Sequence, residues 1–221
     1  MSKPHRKRLI IYDLDGTLVD TLEDIFQSAN FMLTRMRVPL IAREETKRYV
    51  GRGVTELVKS CLKTQDARLL KEGLRIYRAH YGEHLLDHSR LYPDAKAVLE
   101  RFKDRRQAVI TNKPNPYSQR ILRALGVADY FVRIIPGNSE YPKKPDPTSI
   151  LALMNETQSQ PEETVFVGDS AIDVETGRNA GVGTVGILHG FSEPNELVST
   201  APDLLVSDFR ELLRVTTDVN W

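Results

Sequence analysis

Leu9-Ile10-Ile11-Tyr12-Asp13-Leu14-Asp15-Gly16-Thr17-Leu18-Val19-Asp20-Thr21 is the stretch on which the fold turns. It opens as a short apolar, β-branched run that stops abruptly at polar residues, the pattern of a buried strand. Asp13 and Asp15 are one residue apart, so in a continuing strand they would share a face. Where the strand breaks into a loop, both converge on one point above the sheet edge. Open α/β sheets bind ligands there, outside the carboxyl ends of their strands. Two carboxylates held close repel each other, and a shared proton, a cation or both must compensate. Gly16 supplies the permissive backbone of a sharp turn. A purely structural reading is an N-cap turn, in which one Asp caps a helix beginning near Asp20. A calcium loop of the EF-hand type is excluded, because it needs Gly at its sixth position and Glu at its twelfth. Here Gly16 is fourth counting from Asp13.

Beyond this stretch the period changes. Leu22, Ile25, Phe26, Ala29, Met32, Leu33 and Met36 recur at spacings of three and four, one stripe of a helix from Asp20 to about Arg37 that ends before Pro39. Further helices are expected from about Arg43 to Val50, from near Val54, and from about Asp66 to His88, with a break at Gly51-Arg52-Gly53. No strand is expected between residues 20 and 90. After Pro93, strands at 107–110, 132–135, 164–167, 184–187 and 204–206 alternate with helices at 93–103, 115–125, 147–156, 171–180 and 208–215. Gly126 is a natural helix C-cap. Such alternation implies a parallel sheet with helices on both faces. The expected fold class is therefore α/β, a Rossmann-like parallel core made of residues 1–19 and 90–221. A small all-α unit of residues 20–89 is inserted directly after the first strand.

Composition narrows the function. At 221 residues, with 40% hydrophobic and 28% charged residues, the chain can bury a sizeable core. A net charge of +1 gives no electrostatic case for nucleic acid or an anionic membrane. No apolar run approaches a membrane span. The segment after the basic N-terminus is too short for a signal peptide, and Lys3, Arg6, Lys7 and Arg8 read as a solvated tail. A single cysteine, Cys61, excludes an intrachain disulfide and fits a reducing, cytoplasmic setting. In an amphipathic helix it reads as a small packed residue.

Three further stretches carry polar residues to strand ends. Val109-Ile110-Thr111-Asn112-Lys113 delivers a hydroxyl and an amide where a loop begins, suited to a phosphate oxygen but also to a plain turn. In Lys143-Lys144-Pro145-Asp146-Pro147, Pro147 suits the first turn of a helix and Asp146 its N-cap. Structure alone does not require a Lys before the Pro. Val167-Gly168-Asp169-Ser170-Ala171-Ile172-Asp173 again ends a strand in carboxylate and helix, and Asp169 or Ser170 could simply cap it. Two Asp residues four apart are neighbours across one helical turn, which favours a nearby cation or lysine. Two weaker candidates remain. Gly51-Arg52-Gly53 is either a plain connection between helices or a loop that brings Arg52 onto a substrate carboxylate. His80, His84 and His88, four apart, could bind a transition metal, although a solvated helix face explains them.

Taken in order, Asp13-Leu14-Asp15-Gly16-Thr17-Leu18, Thr111-Asn112-Lys113, Lys144-Pro145-Asp146-Pro147 and Val167-Gly168-Asp169 resemble the four signatures of the haloacid dehalogenase-like superfamily. The match runs from about Leu9 to Phe209 and looks most like the phosphoglycolate phosphatase branch. Tyr12 stands where Phe is usual and Thr21 where Ser is usual. The resemblance implies a Mg²⁺-dependent phosphatase acting through an aspartyl-phosphate, with residues 20–89 as a helical cap. Asp13 would be the nucleophile and Asp15 the acid/base. Asp13, the Asp15 backbone carbonyl and Asp169 would hold Mg²⁺. Thr111, Asn112 and Lys144 would bind the phosphoryl group, Lys143 being the neighbour not assigned. Asp173 would orient water or Lys144 from behind, and Arg52 would touch substrate. The expected partner is a small phosphorylated metabolite, foremost 2-phosphoglycolate, with other sugar phosphates and nucleotides as alternatives. No nucleic acid or membrane partner is expected, and the chain would be a monomer or homodimer. A β-phosphoglucomutase-like phosphomutase is disfavoured by Thr17 and Ile25, where those relatives carry Val or Ile and a His. A non-catalytic phospholigand-binding protein is disfavoured by the presence of Asp13, Asp15 and Lys144.

Overall fold

The computed structural model describes residues 6–218, and the side chains of residues 6–216. In chain order the elements are β1 (Leu9–Tyr12), β2 (Val19–Asp20), α1 (Leu22–Met36), α2 (Arg43–Tyr49), α3 (Val54–Leu62), α4 (Ala67–His84), β3 (Arg90–Leu91), α5 (Ala95–Arg101), β4 (Arg106–Ile110), α6 (Tyr117–Ala124), β5 (Arg133–Ile135), α7 (Thr148–Thr157), β6 (Thr164–Gly168), α8 (Ala171–Asn179), β7 (Gly183–Ile187), α9 (Pro194–Ser199), β8 (Leu204–Val206) and α10 (Phe209–Asp218).

Six of the strands form one parallel sheet in the order β5-β4-β1-β6-β7-β8. The first strand lies inside the sheet, which is why all four of its residues are buried and apolar. Its alternation sorts the two layers. Ile10 and Tyr12 pack with Val98 and Leu99 of α5 and Phe209 and Leu212 of α10. Leu9 and Ile11 pack with Ile150 and Leu153 of α7. From β1 the strand order runs outward to β4 and β5 on one side and to β6, β7 and β8 on the other. The order therefore reverses at β1, and a crevice opens at its carboxyl end.

Helices α1 to α4 pack on one another, with Ile25, Met32, Val58 and Tyr77 continuing the cluster that covers one sheet face. The stripe read from the sequence is the buried side of α1, which stops where Arg37 turns left-handed ahead of Pro39. Gly126 and Gly181 both take positive φ just beyond α6 and α8, as helix-ending glycines do. Among the described residues no helix is long and apolar enough to cross a membrane.

Several expectations need correction. β2 and β3 pair antiparallel at the two ends of the helical block, so α1 starts at Leu22 rather than Asp20. Two-residue strands are too short to show a period. The fourth helix ends at His84 rather than His88, because the chain turns there to reach the buried carboxylate of Asp24. That carboxylate accepts from the His88 N–H (2.9 Å), the Ser89 N–H (2.8 Å) and Ser89 Oγ (2.6 Å). α7 begins at Thr148, with Pro147 as the capping residue, while Asp146 Oδ1 accepts from the Thr148 N–H at 2.9 Å. α9, headed by Pro194, was not foreseen. Arg6 and Arg8 are exposed, as expected, and the described basic N-terminal residues also make contacts with the core. Arg6 pairs with Asp104, Lys7 Nζ donates to the Glu162 carbonyl at 2.8 Å, and the Arg8 N–H donates to the Glu163 carbonyl. Lys3 lies outside the described residues.

Asp24 joins the start of the helical block to its end, and Asp24→Ala would bury two N–H groups and a hydroxyl unpaired. The expected loss is about 2–4 kcal/mol in urea unfolding. A loss below about 1 kcal/mol would mean that water replaces these bonds and the anchor is unimportant.

Candidate active site

A parallel sheet puts every strand's carboxyl end on one edge, and the four polar stretches follow β1, β4, β5 and β6. They meet above β1. Lys144 is buried, its ammonium 2.8 Å from Asp13 Oδ1 and 2.6 Å from Asp173 Oδ1. Lys143, by contrast, is exposed and points toward Gly53. Asn112 holds the backbone of Lys144 at both ends. Its Nδ2 donates to the Lys144 carbonyl (3.1 Å) and its Oδ1 accepts from the Lys144 N–H (3.0 Å). The same Nδ2 reaches the Gly51 carbonyl at 2.8 Å, which ties the core to the loop between α2 and α3. The Asn112 side-chain amide is therefore engaged with Lys144 and Gly51. The Thr111 hydroxyl is buried and accepts from the Lys113 N–H at 3.2 Å, keeping its own proton to donate.

Asp169 accepts from Thr17 Oγ1 (2.7 Å) and from the Phe191 N–H (2.8 Å). Glycines give it room: a Cβ on Gly16, which has φ +86°, or on Gly190 would collide with its carboxylate. Asp173 serves two neighbours. Its Oδ2 closes the capping box of α8 by accepting from the Ser170 N–H and Oγ, while its Oδ1 faces Lys144. Ser170 thus caps α8, and Asp173 lies against Lys144.

Asp15 stands apart. Its carboxylate meets Lys113 Nζ at 2.9 and 3.1 Å and accepts from Thr21 Oγ1 at 2.6 Å. Lys113 in turn lies 4.7 Å from the centre of the Tyr81 ring. The sequence reading named neither Lys113 nor Thr21 as a site residue. The available signal was the position of Lys113 directly after Thr111-Asn112.

The acidic groups that converge are Asp13, Asp169 and Asp173, each with an oxygen within 4.8 Å of the others. Asp173 joins this cluster, whereas Asp15 brings no carboxylate to it, so only a backbone carbonyl could serve from Asp15. The cluster holds three buried carboxylates and one ammonium, which pairs with Asp13 and Asp173. Burial, which Lys144 only partly offsets, pushes the Asp13 carboxyl up to about 6. Burial and then the charges of Asp173 and Asp13 push Asp169 up to about 8. Burial works against the Lys144 ammonium, but Asp13 and Asp173 outweigh it and its pKa is raised. Excess buried negative charge is the environment a hard divalent cation fits.

Two clefts open onto Asp13 and Asp15. An inner one lies between the sheet edge and the helical block, walled by Val54, Leu57, Tyr77, Tyr81 and Tyr117. A wider one passes Asp169 and the mouth of the loop. Arg52 is exposed and lines the wider cleft, not the inner one. His80, His84 and His88 do not converge on one point among the described residues. His80 bonds Ser28 and stacks on Phe31, His84 pairs with Asp87, and His88 contacts Gln27 from beyond the helix end. Cys61 is buried, and burial pushes its thiol up to about 12, consistent with a packing role.

A family model for haloacid dehalogenase-like hydrolases matches residues 10–187. A phosphoglycolate phosphatase of Haemophilus influenzae is 34% identical over 94% of this chain and 97% of its own length. One from Vibrio parahaemolyticus is 31% identical over 94% and 95%. A crystal structure described as a predicted phosphoglycolate phosphatase from Haemophilus somnus superposes with a TM-score of 0.90 at 31% identity, covering 95% of this chain and 98% of that one.

Without a cation, folded Asp13 and Asp169 hold protons that the unfolded chain has already released above about pH 4. Stability of the cation-free protein should therefore fall as pH rises toward 8. A divalent cation should recover the loss, and recover more at pH 8 than at pH 6. Denaturant midpoints with EDTA and with added cation would check this. A cation effect independent of pH would count against these carboxylates as the binding groups.

Proposed function

The chain belongs to the haloacid dehalogenase-like hydrolases, and on that premise we propose that it is a Mg²⁺-dependent phosphatase for a small phosphate monoester, foremost 2-phosphoglycolate. One observation carries the reading: two carboxylates a residue apart occupy different environments. Asp13 lies in the buried cluster beside Lys144, and Asp15 is held separately by Lys113 and Thr21 at the inner cleft. Nucleophile and acid/base need that division of labour.

In the proposed reaction an Asp13 oxygen attacks phosphorus, and the bond from phosphorus to the ester oxygen breaks. Asp15 gives its proton to the departing alcohol. A water then attacks the aspartyl-phosphate, Asp15 takes its proton, and the P–O bond to Asp13 breaks to release phosphate and restore the carboxylate. Lys144 and the Thr111 hydroxyl hold the phosphoryl oxygens. Asn112 contributes by fixing the backbone of Lys144, and Asp173 by fixing its ammonium. Asp13, Asp169 and the Asp15 carbonyl would hold Mg²⁺, with Asp173 at the edge of the set. The ion supplies charge compensation and alignment of the phosphate when bound. Residues 20–89 act as a cap that excludes water, with the hydrogen bond from Asn112 to Gly51 as its latch to the core. The relatives named phosphoglycolate phosphatases support the substrate, a free cytoplasmic metabolite. A monomer or a homodimer would serve this chemistry equally.

Phosphate release from a panel of small esters, with Mg²⁺ or with EDTA, tests the reading. The expected outcome is preference for 2-phosphoglycolate, loss of turnover in EDTA, and a fall of at least about 10³-fold in Asp13→Asn with the fold retained. Appreciable turnover by Asp13→Asn would remove Asp13 as the nucleophile.

A further inference from the structure

Two buried polar groups of the inner cleft have no task toward substrate in this scheme. Lys113 is 7% exposed and is the one cation among the described residues that line the cleft. Tyr81 is 1% exposed, and its hydroxyl has no hydrogen-bond partner among the described residues. Its ring is locked, stacked on Tyr77 and edge-on to Tyr117, and lies beneath the Lys113 ammonium. Burial holds the phenol proton in place well above the ordinary range, so the hydroxyl is a donor. A buried donor without an acceptor is destabilising, and such groups persist where a ligand completes them. Apart from Asp15, which Lys113 already holds, the walls near these two donors are apolar, from Val54 and Leu57. The space thus suits a small group that accepts hydrogen bonds, carries negative charge and has little else attached.

We infer that Lys113 and Tyr81 form a carboxylate receptor in the leaving-group half of the inner cleft, selecting phosphate esters of small hydroxy acids over neutral esters. The inference rests on the phosphatase reading for the identity of the ester and goes beyond it in naming the residues that choose the leaving group. An ammonium has three donors, so Lys113 can hold Asp15 and a substrate carboxylate together. It then spans the acid/base and the group that departs. Selection and positioning of Asp15 share one side chain. Arg52 would not be the discriminating residue, since it is exposed along the wider cleft.

The test uses the full chain with Mg²⁺ and compares kcat/KM for 2-phosphoglycolate with that for 2-hydroxyethyl phosphate, in which a hydroxymethyl group replaces the carboxylate. The readout is the ratio of the two, because replacing Lys113 also disturbs Asp15. Wild type should favour the carboxylate ester. The ratio should fall at least about tenfold in Lys113→Met and several-fold in Tyr81→Phe, with partial recovery in Lys113→Arg. Binding of glycolate itself, followed by titration calorimetry, should be lost in Lys113→Met. Ratios within about twofold of wild type in both variants, or a collapse in Arg52→Ala instead, would overturn the inference. Tyr81→Phe removes only a hydroxyl and keeps the test decisive if Lys113→Met does not fold. If no ester is turned over but glycolate binds in a Lys113-dependent way, the phosphatase reading fails and the receptor stands. Turnover with a ratio indifferent to Lys113 and Tyr81 does the reverse.

Discussion

The Lys144 ammonium, held between the carboxylates of Asp13 and Asp173, is the interaction on which the rest of the site depends. Taking such charges out of water is costly, and removing one partner from a buried pair typically costs about 3–5 kcal/mol. The chain meets that cost with a second tier of contacts. Asn112 fixes the backbone of Lys144 on both sides, and Ser170 fixes Asp173 through the cap of α8. Even so, the cluster holds more negative than positive charge. Burial first, and then the neighbouring carboxylates, raise Asp13 and Asp169, and a divalent cation would offset the excess charge.

Separation of the two loop carboxylates is the second constraint. Asp13 and Asp15 are neighbours in sequence but answer to different partners, because the strand ends between them. Asp13 still follows the sheet, its N–H donating to the Val167 carbonyl. Asp15 is already in the turn, where Gly16 adopts φ +86° and the chain swings toward Thr21 and the helical block. Lys113, delivered from the end of β4, completes its surroundings. The parallel sheet thus brings residues a hundred positions apart to a turn only a few residues long.

The helical block is more than a lid by proximity. Its interior runs into the cluster over one sheet face, Asp24 ties its first helix to its exit, and Gly51 takes a hydrogen bond from Asn112 beside the reacting groups. A change at that loop is therefore felt directly by the residue that orients Lys144.

Much of this was legible in the sequence alone. The apolar run at Leu9, the 3.6-residue stripe from Leu22 and the strand–helix alternation after Pro93 each report a local period, so sequence determined the α/β class and the inserted helical block. The strand-end motifs likewise placed Asp13, Thr111, Lys144 and Asp169, because parallel strands must end on one edge. What only the tertiary structure decided depends on side-chain direction and contacts between distant segments, which no period encodes. The amide of Asn112 turns inward to Lys144 and Gly51. Asp173 rather than Asp15 supplies the third carboxylate. Lys113 belongs to Asp15 and the tyrosines, and Arg52 stays out along the wider cleft. The pairing of β2 with β3 escaped for the same reason: two residues on each side are too few to carry a pattern, and only the closing of the chain between them made them strands.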